Sequence, residues 1–225
     1  MNHLLREKAP ITDAAWAQID QEATRALKEV LAGRRLLDVT GPRGWEHAAE
    51  STGRTRHVGV VVGDVDARVR DVNPLVELKV PFTVARAELD AIDRGACDAD
   101  LDPVRLAARD AAVAEDRSIF HGFPAGGIAG IVDETPNEAI VIDADYEKYP
   151  SAVAQAVAKL KTGGIAGPYA IALGPRCYTG VVEQSEMGGY PVLKHLELIL
   201  GGEVVFAPGI DGAVEKRLHT RGHII

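Results

Sequence analysis

Residues 102–127 read DPVRLAARDAAVAEDRSIFHGFPAGG, and this stretch separates two halves of different character. Asp102-Pro103 has the form of an N-cap followed by a helix-compatible proline. From Val104 to Phe120 the chain is alanine-rich and holds no Gly or Pro, which predicts the longest, central helix. Pro124-Ala125-Gly126-Gly127 ends it and marks the domain boundary. The helix carries an unusual pair, Glu115-Asp116, next to Arg117. Adjacent helical residues diverge by about 100°, so the two carboxylates do not face one substrate. A structural ion pair with Arg109 or Arg117 is the expected role.

On the N-terminal side, Thr12 can cap a helix, Asp13 suits its positive end, and Ile11 can staple onto Trp16. Trp16, Ile19, Ala23, Leu27 and Val30 then form one apolar stripe at steps of three and four, with Gly33 as the expected stop. From Thr52 the period becomes alternating. Val58, Val60 and Val62 lead to Gly63-Asp64 and on to Val65, Ala67 and Val69, which predicts a β-hairpin. It carries little bulky volume and many charges, so it lacks a core of its own and must lean on something else. Val76 to Phe82 alternates too, with Pro81 placing it at an edge or a strand end. Beyond the boundary, helix and strand patterns take turns. A helix spans Ser151–Lys161, a buried strand Tyr169–Leu173, and a short helix lies near Cys177 to Glu183. Another runs from Pro191 to Leu200, stopped by Gly201-Gly202, before a strand at Glu203–Ala207. The class is α+β, without repeats.

Composition bounds the function. The chain has 225 residues and 24.0 kDa, with 46% hydrophobic and 26% charged residues, enough for a folded core in one large or two small domains. A net charge of −8 repels a phosphate backbone, which argues against nucleic acid as a partner. No apolar run approaches the roughly 20 residues that cross a bilayer. The N-terminus turns charged too early for a secretory signal, so the expected location is the cytoplasm, with Cys97 and Cys177 reduced.

The search for chemistry yields little. His219 and His223 are four apart but lie in a terminal segment around a glycine, a poor metal site. Gly126-Gly127-Ile128-Ala129-Gly130 lacks the Lys-Ser/Thr ending of a phosphate loop. A hydrolase can be drawn from Cys177 or Ser185 with His195 and Asp211, yet nothing local makes a nucleophile elbow or activates the thiol. No catalytic residue, metal or cofactor is expected.

Motifs in order along the chain then carry a resemblance. They begin with Ala9-Pro10-Ile11, Trp16 and Ile19-Asp20. Next come Ala32-Gly33-Arg34-Arg35-Leu36-Leu37-Asp38-Val39 and Gly41-Pro42-Arg43-Gly44-Trp45-Glu46. Pro74-Leu75-Val76-Glu77-Leu78, Pro81-Phe82-Thr83, Glu88-Leu89-Asp90 and Arg94-Gly95 follow. Ala114-Glu115-Asp116-Arg117-Ser118-Ile119-Phe120-His121-Gly122, Gly167-Pro168-Tyr169 and Gly189-Tyr190-Pro191 complete the set. From Met1 to about Val214 the chain resembles the shell proteins of encapsulin nanocompartments (family 1, linocin-like).

The resemblance implies the tailed-phage major capsid fold of the Hong Kong ninety-seven type. Residues 1–51 and 73–125 would form a peripheral domain with a cargo-facing N-terminal helix, 52–72 an extended loop, and 126–204 an axial domain. Residues 205–225 would be a shortened return to the peripheral domain with a divergent tail. The implied function is self-assembly into an icosahedral shell of 60 subunits or more. Such a shell encloses an iron-oxidising ferritin-like protein or a dye-decolorising peroxidase, held by the cargo's C-terminal targeting peptide. Carried over by position, Leu27, Arg34, Leu37 and Asp38 would bind that peptide. Alternatively, the leucines belong to the core and Arg34 pairs with Asp38. Glu186, Met187, Gly188, Gly189 and Tyr190 would line the five-fold pore, where a carboxylate ring favours cations. A prophage major capsid protein, a cysteine or serine hydrolase and a bacteriocin-like protein are the competing readings.

From Glu215 the sequence turns basic and loses strand alternation, where the family continues for roughly 40 residues that complete a sheet. This predicts an unpaired apolar edge beside Val76–Phe82, poor assembly and weak cargo binding.

Overall fold

The computed structural model describes residues 4–142, 145–186 and 188–217. Helix α1 spans Asp13–Val30, and Thr12 caps it by accepting the Ala15 N–H at 3.2 Å. Gly33 does not stop this helix as expected: α1 ends at Val30, and Gly33 begins a short second helix, α2 (Gly33–Leu36). Two antiparallel strands follow, β1 (Ala49–Val60) and β2 (Asp66–Pro74), longer than the expected hairpin but with the turn where the valine pattern put it. Val76–Phe82 forms no ladder, so its alternation has no partner to act on. Helix α3 (Arg86–Asp93) has no capping signature and was not expected from the sequence.

Helix α4 (Asp102–His121) is the central helix, with Asp102 and Pro103 in its first turn. It packs on α1 and α3 through Ala15, Ile19, Leu89, Ile92 and Val104, and again through Val30, Leu31 and Ala112. After it, Phe123 and Ile128 exchange backbone bonds at 2.8 and 3.1 Å, which closes Pro124–Gly127 into a tight turn. A short α5 (Ile131–Glu134) leads to α6 (Tyr149–Thr162), β3 (Tyr169–Leu173), α7 (Pro175–Glu183) and α8 (Val192–Leu200). Gly201, at φ 65°, ends α8 in the left-handed conformation that its side-chain-free backbone adopts without strain.

Strand β3 lies between β4 (Val204–Phe206), parallel to it, and β5 (Ala213–Arg217), antiparallel. All five residues of β3 are buried because both of its faces are covered. Tyr169, Ile171 and Leu173 meet Val153, Val157, Leu196 and Leu200 of α6 and α8. The alternate residues, Ala170 and Ala172, meet Ala32 and Leu36 of α2, Phe120 of α4, and Val205, Ala207 and Ile210. This second face joins the helical layer to the sheet layer.

β5 corrects the expectation for the tail. Residues 215–217, read as lacking strand character, pair with Ile171, Ala170 and Tyr169. A ladder is made by backbone groups, and the open edge of β3 supplies them whatever the side-chain pattern. The rest of the tail, including His219 and His223, lies outside the described residues.

Candidate functional site

The β1–β2 hairpin is built unlike the rest of the chain. None of its residues is buried, and β1 and β2 have each other as their chief partner. Register shifts between Ser51 and Thr55 and between His57 and Gly59 kink the ribbon. Exposed polar contacts run along it, Asp66 meeting both His57 and Arg68 at 2.8 Å. Around the turn, Val58, Val60, Val61, Val62 and Val65 are each about half exposed or more. A contiguous apolar tip on a coreless arm is the mark of a surface that another chain covers.

The residues named for the cargo peptide lie along the α1–α2 connection. Leu27 is half-buried against Val30, Leu31 and Ala112, and Leu37 is half-buried against the cluster of Ala32, Leu36 and Phe120. Both leucines therefore flank core and keep part of their surface outward. Asp38 is exposed. Arg34 grips Glu115 with two hydrogen bonds, at 2.6 and 2.8 Å, which raise the guanidinium pKa further. Glu115 thus pairs with Arg34, not with the expected Arg109 or Arg117. The partners are 81 positions apart, so no local spacing could have revealed them.

Asp116 has no ion-pair role of the expected kind. Its carboxylate accepts the backbone N–H groups of Ala32 (2.8 Å) and Gly33 (2.9 Å) at the start of α2. Burial pushes its pKa up, and the two backbone bonds oppose that shift.

The candidate pore residues form a small loop between α7 and α8. Glu186 N–H donates to Tyr190 C=O at 2.8 Å, and Ser185 bridges Pro191. Gly188 and Gly189 sit at φ 108° and 82°, backbone that larger residues rarely adopt. Met187 lies outside the described residues. The Glu186 carboxylate is not free. It meets His195 Nδ1 at 2.7 Å, and the Tyr190 ring stands edge-on to the same imidazole.

That pairing changes the acid drawn for the hydrolase: His195 meets Glu186, not Asp211. Ser185 lies beside Pro191 in the loop ladder. The Cys177 thiol accepts the Tyr149 hydroxyl at 2.9 Å in the α6–α7 core, where burial, then this bond, pushes the phenol pKa up. Among the described residues no group of three or more His, Cys, Asp or Glu is placed to hold a metal ion. No described helix is long and apolar enough to cross a membrane.

Comparison with known proteins places the chain in one family. Residues 1–219 match the family described as encapsulating protein for peroxidase (Linocin_M18). A type 1 encapsulin shell protein of Rhodospirillum rubrum is 47% identical over 220 residues, covering 95% of this chain and 79% of that one. Those of Mycobacterium tuberculosis and Brevibacterium linens are each 44% identical, over 222 and 223 residues, covering 99% of this chain and 83% of theirs. The match continues past Val214, where the residues had suggested a departure. Among solved structures, a virus-like particle from Pyrococcus furiosus superposes with a TM-score of 0.59 at 14% identity, over 91% of this chain and 79% of that one. That likeness establishes the capsid-type fold.

Proposed function

We propose a working role in shell building from one premise: the chain belongs to the type 1 encapsulin shell protein family. Copies of this chain close into an icosahedral particle of about 60 subunits or more. The particle stands in the cytoplasm and encloses a cargo enzyme. The observation that carries this reading is the coreless β1–β2 arm, whose exposed valines need a neighbouring copy to cover them.

The cargo is an iron-oxidising ferritin-like protein or a peroxidase, the latter in keeping with the family description. Its C-terminal targeting peptide lies in extended form across the outward faces of Leu27 and Leu37, with Arg34 and Asp38 meeting its charged groups. Arg34 must then share its guanidinium between Glu115 and the peptide. The Glu186–Tyr190 loops gather around the five-fold axis and admit cations. The subunit itself is not an enzyme, a reading supported by the shell-protein relatives and by the Cys177 thiol, which is taken up by the Tyr149 hydroxyl.

Size-exclusion chromatography with light scattering and negative-stain microscopy test the reading. Hollow particles far above 24.0 kDa are expected, and a clean monomer by both methods overturns it.

A further inference from the structure

Asp116 is the only charged residue fully buried among the described residues, with 0% of its surface exposed. Three segments distant in sequence meet at it. Its Oδ2 accepts from Ala32 N–H and its Oδ1 from Gly33 N–H, so the start of α2 takes both oxygens. On its other side comes the turn after β4. A Cβ placed on Gly209 would stand 2.8 Å from the Asp116 Cβ and 3.2 Å from the Val113 carbonyl oxygen, so this turn lies directly on α4. Gly33 is equally tight, its imagined Cβ falling 2.8 Å from Ile119 Cδ1 and 3.0 Å from Asp116 Oδ1.

The surrounding contacts have the same geometry. Ala32 and Leu36 of α2 share one buried cluster with Phe120 of α4 and with Ala170, Ala172, Val205, Ala207 and Ile210 of the sheet layer. Arg34 reaches α4 at Glu115, and Arg35 reaches Glu203 at the entry to β4. Helix α2 is therefore a cross-brace between the layers. The two ion pairs are exposed and hold loosely. The apolar cluster is non-directional and tolerates sliding. The Asp116 bonds are the directional element, because a small displacement leaves a buried charge without its donors.

We propose that Asp116 is a positioning residue that fixes the angle between the helical layer (α1, α3, α4) and the sheet layer (β3–β5 with α6–α8), and thereby the curvature of the shell. The curvature clause rests on the shell-building reading above; the angular clause concerns the subunit alone. Asparagine is the sharp test, since it keeps the shape but can accept only one of the two N–H groups and turns a donor toward the other.

The experiment compares the full chain, Asp116→Asn and Gly209→Ala by hydrogen-exchange mass spectrometry and by particle diameter in negative stain. Both variants are expected to speed amide exchange about tenfold or more in 31–37 and in 205–211 together, with α6 unchanged. Their particles are expected to spread over several diameters where the parent gives one. Gly209→Ala presses on the same joint and on the Asp116 Cβ while keeping the carboxylate in the chain, so the test survives an Asp116→Asn chain that fails to fold. Faster exchange confined to 31–37, or parental diameters despite faster exchange in both segments, overturns the proposal. A parent that forms no particles sinks the shell reading instead, while the exchange result on the same samples still decides the joint.

Discussion

Replacing Val60, Val61 and Val62 together by serine should separate assembly from folding. These residues sit at the tip of the arm, 61%, 72% and 71% exposed, so the subunit in isolation uses only about a third of their burial. Fully burying a valine contributes about 1.5 kcal/mol, and in proportion to exposure these three still hold about 3 kcal/mol between them for a partner that covers the tip. Losing that amount weakens each subunit contact about a hundredfold. The isolated subunit should lose no more than about 1.5 kcal/mol, the part of the three valines already covered, which moves its Tm by about 3–6 °C or less. Mass photometry across a dilution series reads the concentration at which particles give way to subunits, and circular dichroism reads the Tm. Particles that persist to the parental dilution would refute the argument. So would a Tm fall beyond that range, because the tip would then be packed within its own chain.

Three further outcomes are expected. If Glu186 rings the pore as proposed, Glu186→Gln should leave particles intact but slow ferrous-ion uptake by ferroxidase-loaded shells about tenfold; an unchanged uptake rate would exclude this carboxylate as the group that draws the ion in. The buried Asp116 carboxyl has its folded pKa raised above the ordinary value, so the folded state takes up its proton first and this group's contribution to stability grows as pH falls from the raised value toward the ordinary one. Denaturant titrations across that acid range should show this contribution missing in Asp116→Asn, with Glu115 and Arg34, which also face the site, unchanged in both chains. Tyr149→Phe removes the bond to Cys177 and should cost about 1 kcal/mol, lowering the Tm by about 2–4 °C, and should speed thiol labelling of Cys177. Parental labelling kinetics would mean that the core, and not the hydroxyl, guards the thiol.

Much of the fold was legible because local rules and tertiary packing agree. Thr12 caps α1, β3 occupies the residues its apolar run marks, and Gly201 ends α8. Helix α3 and the restart of the chain as α2 at Gly33 were not legible, since neither has a capping side chain at its start. Of the candidate site, the coreless arm could be read from its own composition. The partners of Arg34 and Glu186 could not.

The sequence by itself determined the α+β class, the central helix, the valine-tipped hairpin and the motifs that carry the family likeness. Each of these depends on periodicity, capping or composition within a short window. Only the tertiary structure decided that Glu115 holds Arg34, that His195 holds Glu186, and that β5 completes the sheet where side-chain alternation gave no sign of a strand. It also decided that Asp116, indistinguishable in sequence from any exposed helical acid, is buried where three segments cross. The physical reason is common to all four. Hydrogen bonds and ion pairs between residues far apart in the chain exist only after packing has set the distances, and no local pattern encodes a distance.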